Sequence, residues 1–172
     1  MIWPDWVIQQ RFDEIIPISY ERDYRLINPA SFDVRIGYDL LVEENGEWVG
    51  PITMEKGAYF DLHPGQVILV SMLERVRVPL DCTMEFKLKS SRAREGFQHA
   101  LAGWVDPGWD GYLTMELSNT LQSSSLRITP GLRIGQMVCL QMLSRPQYQY
   151  SGRYNGADTV EKSKYQFEDV II

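Results

Sequence analysis

Apolar and polar residues alternate with a period of two along much of the chain. Phe32, Val34, Ile36, Tyr38 and Leu40 are interleaved with Asp33, Arg35, Gly37 and Asp39, the pattern of a half-buried strand. Asn45-Gly46 supplies a hairpin turn ahead of Trp48 and Val49. His63-Pro64-Gly65 is a second turn, followed by a strand over 66–73. Residues 76–79, 83–88 and 112–117 read the same way. Residues 126–129 precede a Pro130-Gly131 turn, and 134–143 form the last long strand. Only residues 5–12, with Trp6, Ile8 and Phe12, read as a short helix. Many short strands set off by Pro-Gly and Asn-Gly predict a mainly all-β sandwich or barrel with one or two short helices. The alternation stops near Ser144. Residues 145–166 are rich in Tyr, Gln, Ser, Gly and charge, which predicts a tail lying over a surface, such as that of a neighbouring subunit. The expected division is a core over 1–144 and a tail over 145–172.

Composition narrows the function. The chain has 172 residues, enough for one domain with a real core. Seventeen basic and 23 acidic side chains leave a net charge of −6, the wrong sign for a protein that binds DNA or RNA by neutralising phosphates. The two cysteines, Cys82 and Cys139, and two histidines, His63 and His99, are too few for a disulfide scaffold or a four-ligand zinc site. The H-x-E and P-C-x-x-C pair of the zinc nucleoside deaminases is absent. Any hydrolytic chemistry is therefore expected to do without a Cys/His-bound metal such as zinc. No apolar run approaches the roughly 18 residues of a membrane-spanning helix, and residues 1–5 do not open a signal peptide. These features predict a cytoplasmic location without membrane association, with both cysteines as reduced core residues.

Four stretches break the plain sandwich pattern. Residues 87–94 hold Lys87, Lys89, Arg92 and Arg94 and no acid. Ser90 or Ser91 can cap a short helix that Gly96 ends, making either an anion site or a capped turn with solvated charges. Residues 102–111 place Asp106 before a Pro107-Gly108 turn between Trp104 and Trp109. Asp106 either accepts backbone N–H groups in the turn or faces a cleft. In residues 112–119, Leu113, Met115 and Leu117 share one face, while Tyr112, Thr114, Glu116 and Ser118 share the other. Glu116 is merely solvated unless that face closes over a pocket, where a carboxylate can do acid–base work. The tail carries Tyr148, Tyr150 and Gly152-Arg153-Tyr154-Asn155-Gly156, suited either to a lid over a planar anionic ligand or to simple packing. No G-x-S-x-G elbow or Gly-rich phosphate loop is present, neither histidine has an evident partner, and His63 reads as structural.

Taken in order, these stretches resemble the dCTP deaminases, relatives of the trimeric dUTPases. Asn28-Pro29-Ala30-Ser31-Phe32-Asp33-Val34-Arg35-Ile36-Gly37 is similar to the family's Q-P-A-S-I-D-L-R-L-G strand. Ser90-Ser91-Arg92-Ala93-Arg94 resembles S-S-L-A-R. Residues 102–119 follow A-G-F-I-D-P-G-F-x-G-x-x-T-L-E-L-S-N, residues 130–136 follow P-G-M-K-I-G-Q, and residues 152–156 follow G-K-Y-Q-G. The resemblance implies a distorted β-barrel or jelly roll of the dUTPase-like type that forms a homotrimer with shared active sites. It implies conversion of dCTP to dUTP and ammonia without a catalytic metal, with magnesium bound through the triphosphate. By the same resemblance, Glu116 activates the attacking water, Ser90 and the Ala102 carbonyl hold it, and Arg94 lies beside it. Asp106 meets the deoxyribose, Thr114 and Met115 line the base edge, and Lys89, Ser90, Ser91, Arg92 and Arg94 form the triphosphate stretch. Tyr150, Arg153 and Tyr154 supply tail contacts.

The chain departs from the family pattern in four places. Ala157 stands where the tail motif carries a second Gln, and Glu161-Lys162-Ser163-Lys164 replaces T-P-S-R. Arg92 replaces an apolar residue, and the loop after Glu95 is one residue short. Gly103 matches the members that go on to dUMP and pyrophosphate, where single-function members carry His. The alternatives are a dUTPase without deaminase activity and a non-catalytic nucleotide-binding homologue.

Overall fold

A computed structural model describes residues 1–165. Helix α1 (Asp5–Ile15) runs one turn beyond the helix expected from sequence. Its buried residues, Ile8, Phe12 and Ile15, recur at helical spacing and form one stripe. The Phe12 ring meets Phe32 edge-on at 5.6 Å, a favourable aromatic geometry.

The rest is antiparallel sheet: β1 (Ile27–Asn28), β2 (Ser31–Glu44), β3 (Glu47–Thr53), β4 (Phe60–Leu62), β5 (Val67–Arg77), β6 (Cys82–Leu88), β7 (Phe97–His99), β8 (Trp104–Val105), β9 (Asp110–Asn119), β10 (Leu126–Ile128) and β11 (Arg133–Gln141). A short helix, α2 (Ser90–Glu95), joins β6 to β7. The main sheet runs β7-β9-β5-β2-β11-β6-β8, with β1 and β3 also on β2, and β4 pairs with β10 apart from it.

Strand β2 curls this sheet by changing partners along its length. Residues 32–35 pair with β11, and later ones pair with β5 and β3. A Cβ on Gly37 would lie 2.5 Å from Ser71 Oγ and 2.7 Å from the Met72 carbonyl, so the crossing requires glycine. Register shifts between Ile36 and Leu40 break the period of two. Tyr38, expected on the core face, is therefore exposed, whereas Leu40, Leu41 and Val42 are all buried. The hairpin at Asn45-Gly46 forms as expected, with both residues at positive φ.

Residues 66–73 and 76–79, expected as two strands, are one strand, β5. The polar Glu74 suggests a break, yet it is 1% exposed. Its carboxylate accepts from Arg35 Nε at 2.5 Å and from the Arg35 backbone N–H at 2.9 Å. Burial nevertheless pushes the Glu74 carboxyl above its ordinary range. Cys82 and Cys139 lie in the core, and burial raises both thiols, Cys82 to about 12, so they pack as neutral groups. His63 Nδ1 lies 2.9 Å from Ser125 Oγ and steadies its turn. Among the described residues no helix is long and apolar enough to cross a membrane.

Among the described residues the tail forms no strand, but it is anchored to its own chain. The Tyr112 N–H donates to the Ala157 carbonyl at 2.8 Å, and the Gly156 N–H donates to the Asp110 carbonyl at 2.8 Å. Thr159 Oγ1 donates to Asp39 Oδ2 at 2.7 Å, and the Glu161 N–H donates to Thr114 Oγ1 at 2.9 Å. Ala157 and Val160 are buried. Val160 joins Leu41 and Leu69, with Trp48 against them, in a small cluster separate from the main core. Residues 166–172 of the expected tail lie outside the described residues.

Candidate functional site

Strand β9 carries the central group. Met115 and Leu117 point into the core at 1% and 0% exposure, so alternation directs Tyr112, Thr114 and Glu116 to the opposite face. The neighbouring β5 sets Leu69 opposite Glu116. The Asp106-Pro107-Gly108-Trp109 turn leads into the strand, with the Trp109 N–H donating to the Asp106 carbonyl at 3.2 Å and Gly108 at φ +89°. Pro then positive-φ Gly at the two central positions makes this a type II turn. The exposed Asp106 carboxylate accepts the Trp104 indole N–H at 3.1 Å. Among the described residues, no backbone N–H of the turn takes that carboxylate.

A cleft of about 460 Å³ opens over this face, within the range of small-molecule sites. It gathers Ala102, Asp106, Thr114, Glu116, Tyr150 and Tyr154, six of the residues singled out from sequence. Trp104, Trp109 and Tyr112 add aromatic wall. The Tyr112 hydroxyl donates to Glu21 Oε1 at 2.7 Å, and burial together with that carboxylate raises its titration. Burial alone would raise the Asp110 carboxyl at the start of β9; ion pairs to Arg75 and Arg77 overcome this and hold it below its ordinary value. Among the described residues Glu116 Oε2 is buried without a hydrogen-bond donor, and His99 Nε2 lies 3.3 Å away.

Residues of the α2 region do not line the cleft of their own chain. Ser90 is the first helical residue rather than the cap; Lys89 occupies the cap and makes no side-chain capping bond. Gly96 ends the helix at φ +109°, as expected. The four positive charges of 87–94 are mostly compensated by acids from outside that stretch. Lys87 pairs with Glu85, Lys89 Nζ meets the buried Asp33 at 2.5 Å, and Arg92 bonds Glu95 at 2.6 Å and the Arg133 carbonyl at 2.9 Å. Ser90, Ser91 and Arg94 are exposed, and no ion pair engages Arg94 among the described residues. Met115 is buried in the core and does not line the cleft. Arg153 Nη1 donates to the Lys164 carbonyl at 2.9 Å and lies outside the cleft.

Gly103 has a steric explanation. A Cβ there would lie 2.5 Å from the Phe86 carbonyl oxygen, while the Phe86 N–H donates to the Gly103 carbonyl at 2.7 Å. Gly103→Ala is therefore expected to cost about 1–3 kcal/mol by forcing β6 and β8 apart. A thermal melt at the wild-type midpoint would contradict that. As packed in this chain, the position leaves no room for a Cβ.

Sequence reasoning missed Trp48, Lys162 and His99. Trp48 and Lys162 line the cleft. Trp48 comes from the β3 hairpin, and no local pattern marks it. Lys162 lies in the stretch already noted for departing from the family pattern. His99 is paired only through strand neighbours distant in sequence. Among the described residues no group of three or more His, Cys, Asp or Glu is placed to hold a metal ion.

Comparison with known proteins agrees with this architecture. The dCTP deaminase of Pyrococcus horikoshii is 36% identical over 164 residues, covering 95% of this chain and 97% of that one. A Corynebacterium glutamicum protein described as a dUMP-forming dCTP deaminase is 34% identical over 157 residues, covering 84% of this chain and 79% of its own. The crystal structure of 2'-deoxycytidine 5'-triphosphate deaminase from Agrobacterium tumefaciens superposes with a TM-score of 0.68 at 20% identity. That match covers 81% of this chain and 48% of the solved chain, so this chain spans about half its length, and the likeness speaks for the fold. The family model described as dCTP deaminase-like matches residues 2–142. The β9 pattern, the Asp106 turn and these matches agree: the chain belongs to the dCTP deaminase-like family.

Proposed function

We propose that this protein is a dCTP deaminase, converting dCTP and water to dUTP and ammonia. The observation that carries this reading is Glu116, whose side chain is 31% exposed at an aromatic-walled cleft and whose Oε2 no donor holds. Water adds to C4 of the cytosine as Glu116 takes its proton. That proton passes to N3; Glu116 then takes the proton of the new C4 hydroxyl and delivers it to the amino group, which leaves as ammonia as C4 becomes a carbonyl. One carboxylate can serve as base and then as acid. Thr114 and the Met115 backbone would meet the base edge, the Ala102 carbonyl the water, and Asp106 the sugar. Tyr150 and Tyr154 would close over the nucleotide as part of a tail lid, to which Arg153 also belongs.

Ser90, Ser91 and Arg94 lie away from the cleft of their own chain. In this reading they complete the cleft of a neighbouring copy in a homotrimer, with Lys89 and Arg92 beside the triphosphate. Magnesium enters with the triphosphate, its oxygens being the natural ligands of a hard cation. No zinc takes part, no DNA or RNA is a partner, and the enzyme works in the cytoplasm. A second reading adds hydrolysis to dUMP and pyrophosphate, and the Asp106 carboxylate, unused by its own turn, favours it.

Incubation with dCTP and magnesium followed by nucleotide separation tests this. Ammonia with dUTP is expected, or with dUMP and pyrophosphate for the second reading. Cleavage of added dUTP without attack on dCTP would make the protein a dUTPase. Binding without any turnover would make it a non-catalytic homologue.

A further inference from the structure

The carboxylate at the centre of the cleft carries one oxygen that the described residues leave unsatisfied. Glu116 Oε2 is buried and accepts no hydrogen bond. A buried acceptor without a donor is costly, and native structures leave few of them. His99 Nε2 lies 3.3 Å from it but is not aligned as a hydrogen bond.

His99 is well placed to become that donor. It ends β7, opposite Leu117 of β9, and the next residue continues the pairing through the Ala100 N–H to the Glu116 carbonyl at 3.3 Å. Its side chain is 6% exposed. The ring meets Phe86 edge-to-face at 4.6 Å and 62°, and Phe86 is fixed by its backbone bond to Gly103. The imidazole is therefore enclosed against Phe86 beside the Glu116 carboxylate. The other charged residues lining the cleft, Asp106, Glu161 and Lys162, come from the turn and the tail, and none of them bonds to Oε2.

We propose that His99 is a positioning residue for Glu116, donating its Nε2–H to Oε2 when nucleotide occupies the cleft. A neutral imidazole can carry its proton on Nε2 and leave Nδ1 bare. Holding Oε2 turns Oε1 towards the cleft with its lone pairs free, which is the orientation that proton abstraction from water requires. His99 touches neither water nor base in this arrangement; it acts through Glu116. The inference rests on the deaminase reading above.

Two variants of the intact protein test it. Leu at position 99 keeps apolar bulk without a donor, whereas Gln can bring an amide N–H close to the Nε2 position. His99→Leu is expected to lower kcat on dCTP about 10- to 100-fold with little change in KM, as misplacing a catalytic group does. His99→Gln is expected to recover most of that loss. Full kcat in His99→Leu, or equal impairment in a folded His99→Gln, would overturn the proposal.

A second measurement does not depend on the variants at position 99 folding. With only two histidines in the chain, ring nitrogen spectra resolve His99 against His63 as an internal reference. The Nε2–H tautomer is expected for His99 in nucleotide-bound protein, with its signals shifting in Glu116→Gln while those of His63 stay. An Nδ1–H tautomer, or no shift, would overturn the contact. If the unaltered protein fails to turn over dCTP, the deaminase reading falls, and the ring spectra alone decide whether His99 holds the carboxylate.

Discussion

Glu116→Gln is expected to reduce ammonia release from dCTP by at least about a thousandfold, since a positioned acid–base group contributes about 10² to 10⁴ in rate and this one serves twice. The substitution removes a charge and keeps the shape. Glu116 belongs to β9, whose hold on the core comes from Met115 and Leu117 on the other face. Its own Oε2 makes no hydrogen bond that the change could break. The melting midpoint is therefore expected to stay within a few degrees of wild type, and nucleotide affinity is expected to persist in equilibrium binding. Near-normal ammonia release by a folded Glu116→Gln protein would remove Glu116 as the base. The same variant melting far below wild type would show that the carboxylate has a structural partner in the assembly.

Much of this site was legible because one strand of ordinary alternation carries it. Residues 112–117 read as two faces, and the buried Met115 and Leu117 against the cleft-lining Thr114 and Glu116 follow that division, whereas Leu113, expected with the first pair, is half-buried and lines the cleft. The Pro107-Gly108 turn and the glycine end of α2 were legible for the same local reason, because their chemistry lies within a few residues. What failed was long-range. Strand β5 was expected as two strands, 66–73 and 76–79; Glu74 between them is satisfied by Arg35 on another strand. Residues 87–94 looked like bare positive charge because Glu85 and Asp33, which neutralise part of it, lie outside the stretch. His99 could not be paired with Glu116 from sequence, because only the β7–β9 register brings them together. The tail's anchoring to its own chain was not legible because it rests on two small apolar residues, Ala157 and Val160.

Val160→Asp tests how the tail and the cleft depend on each other. Val160 sits on Leu41 and Leu69 beside Trp48, in a cluster that shares no buried residue with the main core. Burying a valine contributes roughly 1.5–3 kcal/mol, and an unpaired aspartate in its place adds a desolvation penalty. The molecule escapes that penalty by releasing the segment, so the loss is limited to about the docking free energy of the tail. The barrel is expected to keep its cooperative melt, while residues 145–165 become readily cut by protease. Release would also withdraw Tyr150, Tyr154 and Lys162 from the cleft and the Glu161 N–H from Thr114. KM for dCTP is therefore expected to rise about tenfold or more, equivalent to roughly 1.4 kcal/mol of lost binding, with a smaller fall in kcat. Unchanged KM together with rapid proteolysis of the tail would show that the nucleotide does not use it. A collapse of the barrel melt would instead show that residues 156–161, which bond to Asp110, Tyr112, Asp39 and Thr114, are part of the fold that holds Glu116 in place.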